Sequence, residues 1–108
     1  MGKELIVTTA FDVPGRKIVK VLGVARGNTV RARNIGRDIG AGLKSLIGGE
    51  VKTYTEMTSQ SRDEAFNRMI NDAIGMGADA VIGFEFSTSM VMQGASEMLA
   101  YGTAVKLK

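Results

Sequence analysis

The sequence has no cysteine, no histidine and no tryptophan, and only one proline in 108 residues. Without cysteine there can be no disulfide, no thiolate metal site and no thiol nucleophile. Without histidine there is no imidazole, the commonest general base near neutral pH and a frequent metal ligand. Triads built on His or Cys are therefore excluded, and a general base would have to be a carboxylate or a lysine shifted by its pocket. No apolar run approaches the roughly 20 residues that a membrane span needs. The opening Met1-Gly2-Lys3-Glu4 leads only into the short run Leu5 to Thr9, so no signal peptide is expected and the expected location is cytoplasmic. Internal repeats, low-complexity tracts and linkers are also lacking.

What is present fits one compact domain, with 44% hydrophobic residues and a net charge of +3. A chain of this size buries only about two-thirds of its unfolded surface, so self-association that covers more apolar area would help it. The charge is uneven. Residues 1–48 carry nine Lys/Arg against Glu4, Asp12 and Asp38, whereas residues 49–108 are net acidic. Arg26, Arg31, Arg33 and Arg37 could form a patch that faces phosphates or pairs with an acidic helix of a neighbouring subunit. The stretch lacks the aromatic side chains that stack on bases, which weighs against nucleic acid.

The stretch from Glu50 to Ser89 organises the rest. Ala65/Phe66, Met69/Ile70 and Ala73/Ile74 keep one helical face dry, and Val51, Tyr54, Met57 and Ser61 continue the stripe backward. This favours a helix that begins near Glu50 over one capped at Ser61, and Gly75 and Gly77 end it. The strand beginning at Ala80 is the nearest surface for that stripe.

Upstream, Leu5 to Thr9 reads as a first strand, Pro14-Gly15 as a turn with a hairpin-like return, and Lys17 to Ala25 as a second strand. Gly27-Asn28 reads as a turn, and Thr29 to Arg33 as a short edge strand. Ile35, Ile39, Leu43, Leu46 and Ile47 predict a short glycine-rich helix over 37–47, closed by Gly48-Gly49. Downstream, Ala80 to Ser87 is a strand apolar on both faces; Met90-Val91-Met92 extends it, Gln93-Gly94 turns, and Glu97 to Lys108 returns. In that last strand Leu99, Tyr101, Thr103, Val105 and Leu107 form a large face suited to the helix. Met98, Ala100, Gly102 and Ala104 form a small one. The face left over by a single helix layer is expected to meet another subunit.

Chemical motifs are sparse. Gly36-Arg37-Asp38-Ile39-Gly40-Ala41-Gly42-Leu43-Lys44-Ser45 superficially suggests a phosphate loop, but Leu43 separates Gly42 from Lys44, so the backbone amides and the ammonium could not meet the same phosphate. Helix packing accounts for these glycines better. The seven methionines suit core and interface filling more than a soft-metal site. Asp63, Glu64 and Asp72 lie off the apolar stripe, as a solvated face would. Asp79 is placed to hydrogen-bond the turn backbone, and Glu85 interrupts an apolar strand, so either would need a partner if buried.

Six stretches taken together are familiar: Asp38-Ile39-Gly40-Ala41-Gly42-Leu43, Ile47-Gly48-Gly49-Glu50, Tyr54-Thr55-Glu56, Arg62 with Ala65, Gly77-Ala78-Asp79-Ala80-Val81, and Glu97 through Tyr101-Gly102-Thr103-Ala104-Val105. In order and spacing the chain resembles the YbjQ family, which carries a heavy-metal-binding label, over nearly its whole length. The resemblance implies a single α+β domain, dodecin-like in outline, with a curved antiparallel sheet packed on one long helix plus the short glycine-rich helix. It also implies assembly as a ring of five.

The reading at this level is a non-enzymatic homo-oligomer that binds a small ligand or ion between subunits. Its candidate ligand-binding residues are Arg33, Asp38, Tyr54 and Tyr101, and its candidate metal ligands are Glu50, Glu56, Asp79 and Glu97. The sequence names no cofactor; a metal ion is the candidate, and without Cys or His it would rest on oxygen or thioether donors, which select poorly for soft metals. The alternative is an anion- or nucleic-acid-binding module on the basic half, whose affinity would fall steeply with salt.

Overall fold

The computed structural model describes residues 4–32 and 52–108, with the side chains of 31–32 and 52–58 left aside. The chain order is β1 (Ile6–Val7), β2 (Ile18–Ala32), α1 (Lys52–Gly75), β3 (Ala80–Met92) and β4 (Ala95–Leu107). The strands form one sheet in the order β1-β3-β4-β2, against which α1 packs, an α+β domain. The three long strands are antiparallel to their neighbours, whereas β1 runs parallel to β3. The hairpin-like return after Pro14-Gly15 therefore does not pair β1 with β2: those strands lie at opposite edges. The glycine-rich helix expected over 37–47 lies outside the described residues.

The helix runs from Lys52, so Ser61 is a buried residue within it and not its cap. Its stripe is buried at Ala65, Met69 and Ala73, while Ile74 is exposed. The stripe packs mainly on β2 and β4, and only slightly on β3, the strand that follows it. It also meets the small face of β4. Ala100 and Ala104 join Ala25, Val81, Ala65, Met69 and Ala73 in one core cluster, with Met98 packed against it, whereas Val105 and Leu107 belong to a second cluster with Ala80 and Ile82. The expectation that the large face receives the helix is thus reversed. Small residues let the helix backbone approach the sheet, as van der Waals packing rewards. The opposite face is covered at one end by Ile6, Val13 and Ile18, and left open farther along, where Val24 and Val30 are exposed.

Gly27-Asn28 is no turn. β2 continues through it in register with β4 to Ala32, because α1 passes directly over Gly27. In β3 the phase changes at Gly83, which has φ +61° and lies in a break of register between Ile82 and Glu85. The extra residue brings Phe84 to the helix side with Val81, where its ring meets Phe66 edge-on at 5.3 Å.

An edge strand needs its backbone groups satisfied or shielded. Side chains of α1 serve β2: the Arg26 amide donates to Asp72 Oδ2 at 3.0 Å, and Arg68 Nη1 donates to the Asn28 carbonyl at 2.7 Å. Thr29 Oγ1 also donates to the Ser61 carbonyl at 3.4 Å. Glu64 steadies Arg68 from one turn away at 2.9 Å, an exposed pair. Asp72→Ala should cost about 1 kcal/mol or less at this exposed site. Amide hydrogen exchange checks it: protection should fall at Arg26 and stay unchanged at Ala100, deep in the core.

Candidate functional site

On the face of the sheet turned from α1, alternation places Arg26, Asn28 and Val30 of β2 beside Tyr101, Leu99 and Glu97 of β4. On the other side of β4, Glu85, Ser87 and Ser89 stand opposite the same three residues. The result is a polar band across three strands. Asn28 Nδ2 donates to Glu97 Oε2 at 3.0 Å, which fixes the carboxylate over the middle of the band.

Where this band reaches the β2 edge, Arg26, Asn28, Asp72, Glu97 and Leu99 line a groove of about 490 Å³. That volume suits a small molecule. The lining offers one guanidinium, two carboxylates, an amide and one apolar wall. Asp72 is already tied to the Arg26 backbone and Glu97 to Asn28, so both acceptors are held in place. Two pre-set carboxylates with a guanidinium beside them can orient a ligand that itself carries separated charges.

The sequence-level candidates are distributed differently. Tyr101 lies in the band, between Arg26 and Glu85 in register, and Glu97 lines the groove. Asp79 is elsewhere. It is buried just before β3, and its Oδ2 accepts from the Leu107 amide of β4 at 2.8 Å, a contact across the sheet where the sequence points to the local turn backbone. Because Glu97 opposes Ser89, ten residues beyond Asp79, the two residues are roughly 30 Å apart along the direction of β3. They cannot share an ion within one chain. Among the described residues no three Asp or Glu side chains gather closely enough to hold a metal. Arg33, Asp38 and Glu50 lie outside the described residues, as does Arg37 of the basic patch. Tyr54 and Glu56 fall in the first turns of α1, where only the backbone is described.

Of the groove residues, sequence alone places only Glu97 among the ligand or metal candidates; Leu99 reads as part of an apolar strand face. Asn28 is hidden by its resemblance to a turn, and Asp72 by its resemblance to a solvated face. Arg26 falls instead in a phosphate-facing patch. Continuity of β2 through Gly27 is the missing signal, for it places Arg26 and Asn28 on one face.

Comparison with known proteins agrees with this fold. A family model described as "Putative heavy-metal-binding" matches residues 5–108. A UPF0145 protein of Archaeoglobus fulgidus is 56% identical over 108 residues, covering all of both chains. One from Methanoculleus marisnigri is 59% identical over 103 residues, covering 95% of this chain and 96% of that one. One from Thermotoga maritima is 53% identical, covering 96% and 98%. Among solved structures, a DUF74-family protein of unknown function from Pediococcus pentosaceus superposes with a TM-score of 0.67 at 18% identity, covering 96% of this chain and 98% of that one.

Proposed function

The chain belongs to the YbjQ family, and from that premise we propose that it is a non-enzymatic, cytoplasmic homo-oligomer, a ring of five, that holds a small polar ligand or a metal ion between subunits. The groove lined by Arg26, Asn28, Asp72, Glu97 and Leu99 is the observation that carries this reading. It holds two anchored carboxylates beside the Arg26 side chain, and it borders a sheet face on which Val24 and Val30 stand exposed. A neighbouring subunit that covers those valines would also close the groove. Burying apolar area at about 25 cal/mol per Å² gives such a contact its drive.

The relatives named above carry no enzymatic name, and their printed designation describes no reaction.

The test is calorimetry on the purified oligomer, together with native mass spectrometry of whatever it retains. Titration of divalent ions and of small zwitterions should give heat with one class, and Glu97→Gln should weaken that binding roughly tenfold, the usual scale for loss of one charged hydrogen-bonding partner. No retained mass and no heat with either class would end this reading.

A further inference from the structure

Charge in the groove is ordered along the strands. Arg26 of β2 stands beside Tyr101 of β4, and Val30 stands beside Glu97, so the rows of Arg26 and Glu97 are four residues apart, roughly 13 Å along the strand direction. The row between them pairs Asn28 with Leu99. Arg26, Asn28, Leu99 and Glu97 all belong to the face turned from α1, and all line the groove. Asn28 Nδ2 holds Glu97 by Oε2, which leaves Oε1 to accept from a ligand. Asp72 enters the Arg26 row from α1, and its Oδ2 is engaged by the Arg26 amide, not by the guanidinium. From one end to the other, the groove offers a cation, an apolar wall and an anchored carboxylate.

We propose that the groove takes a zwitterion whose two charges are held apart by an apolar chain, an ω-amino carboxylate, and takes it in one direction. The carboxylate of the ligand lies on the Arg26 guanidinium, its methylenes lie along Leu99, and its ammonium donates to Glu97 Oε1. The proposal rests on the groove being a ligand site, as argued above, and names the class of ligand. A guanidinium can hold a carboxylate by two parallel N–H···O bonds, and an ammonium brings three donors, of which Glu97 needs one. Methylenes laid on Leu99 leave water and add to binding. A groove of about 490 Å³ has room for such a molecule at full extension.

The spacing of the rows sets the selectivity. An α-amino acid carries its charges on one carbon and cannot reach the rows of Arg26 and Glu97 together. Bound at Arg26, it would have to turn its ammonium to Asp72; bound at Glu97, it would set its carboxylate against Leu99. A simple amine satisfies Glu97 alone, and a simple carboxylate satisfies Arg26 alone. Only a ligand with opposite charges at its two ends meets both, and the order of Arg26 and Glu97 along the strands fixes which end lies where.

Calorimetry on the purified protein tests this with ε-aminocaproate, glycine, hexylamine and hexanoate as probes. ε-Aminocaproate should bind roughly tenfold more tightly than each of the others, the scale of one charged contact. Arg26→Gln should erase its advantage over hexylamine, and Glu97→Gln its advantage over hexanoate, with circular dichroism showing that both variants fold. Glycine binding as tightly as ε-aminocaproate would put both charges at the Arg26 row, with Asp72 as the acceptor, and overturns the proposal. So does an equal loss of hexylamine binding in the two variants, which contradicts the direction. Heat with divalent ions and none with the four probes overturns the choice of ligand while the groove remains a binding site. No heat with any of them ends both.

Discussion

Replacement of Gly27 by valine is expected to prevent folding at ordinary temperature. A Cβ built there would lie 2.2 Å from the Met69 amide nitrogen, 2.5 Å from the Ala65 carbonyl oxygen and 2.6 Å from the Arg68 carbonyl carbon. All three are backbone atoms of α1, so no side chain can rotate away. The helix would have to lift from the sheet, opening the cluster around Met69, Ala65 and Ala25. Overpacking where side chains can yield costs about 1–3 kcal/mol, and a clash with rigid backbone should exceed that range. Against a typical stability of about 5–15 kcal/mol, the loss is decisive for a small domain. Gly27→Ala should already lower the denaturation midpoint strongly. Gly75→Ala is the internal control, for nothing lies within 4 Å of its added carbon. At this helix end it should be neutral or stabilise by up to about 1 kcal/mol. Urea unfolding of the three variants checks the series, and a Gly27→Ala midpoint equal to that of the parent would show that α1 does not approach β2 so closely.

Asp79→Ala should be the second large effect. Asp79 ties three elements at the base of the sheet: its amide donates to the Val105 carbonyl, its carbonyl accepts from the Ile6 amide, and its carboxylate accepts from the Leu107 amide. Truncation leaves the buried Leu107 amide without that acceptor and removes a hydrogen bond to a charged group, a loss of about 3 kcal/mol. Asp79→Asn keeps a carbonyl in place and should cost roughly half as much by the same reasoning. The ordering separates two roles for this residue. A backbone brace predicts a large loss of stability in metal-free protein and unchanged ligand binding in the folded fraction. A metal ligand predicts the reverse, with stability lost only in the presence of the ion. Thermal unfolding with and without a chelator reads the difference.

Much of the architecture is legible in the sequence because its signals are periodic. The stripe Ala65, Met69, Ala73 marks the helix, and its backward extension marks a start near residue 50 in place of a cap at Ser61. The alternation from Ala80 to Leu107 marks the β3–β4 hairpin and its turn at Gln93-Gly94. Two of the misreadings, at Gly27 and on the small face of β4, share one physical cause, the close approach of helix to sheet. Close approach calls for small residues, so Gly27 inside β2 resembles a turn, and the face carrying Ala100, Gly102 and Ala104 does not look like the helix's partner. Gly102 makes the same point, for a Cβ there would lie 2.4 Å from Val81 Cγ1. Local patterns do not announce which backbone comes within touching distance, because that depends on contacts between residues such as Gly27 and Met69 that are far apart in sequence.

The site is less legible than the fold. Tyr101 and Glu97 fall on the polar band because alternation along one strand is local information. Asp72 joins the groove only because α1 crosses β2 at an angle that lets its carboxylate reach the Arg26 amide. No spacing between residues 26 and 72 encodes that. Asp79 is readable as an acceptor for backbone amides, but its Leu107 partner is not, because that amide lies on β4, far along the chain.

Assembly around a shared groove is tested most directly by the native mass of the purified protein at micromolar concentration. An assembly built from five 11.5 kDa subunits, carrying extra mass in fixed ratio to the chains, is the predicted result. A stable 11.5 kDa monomer with nothing bound would contradict it.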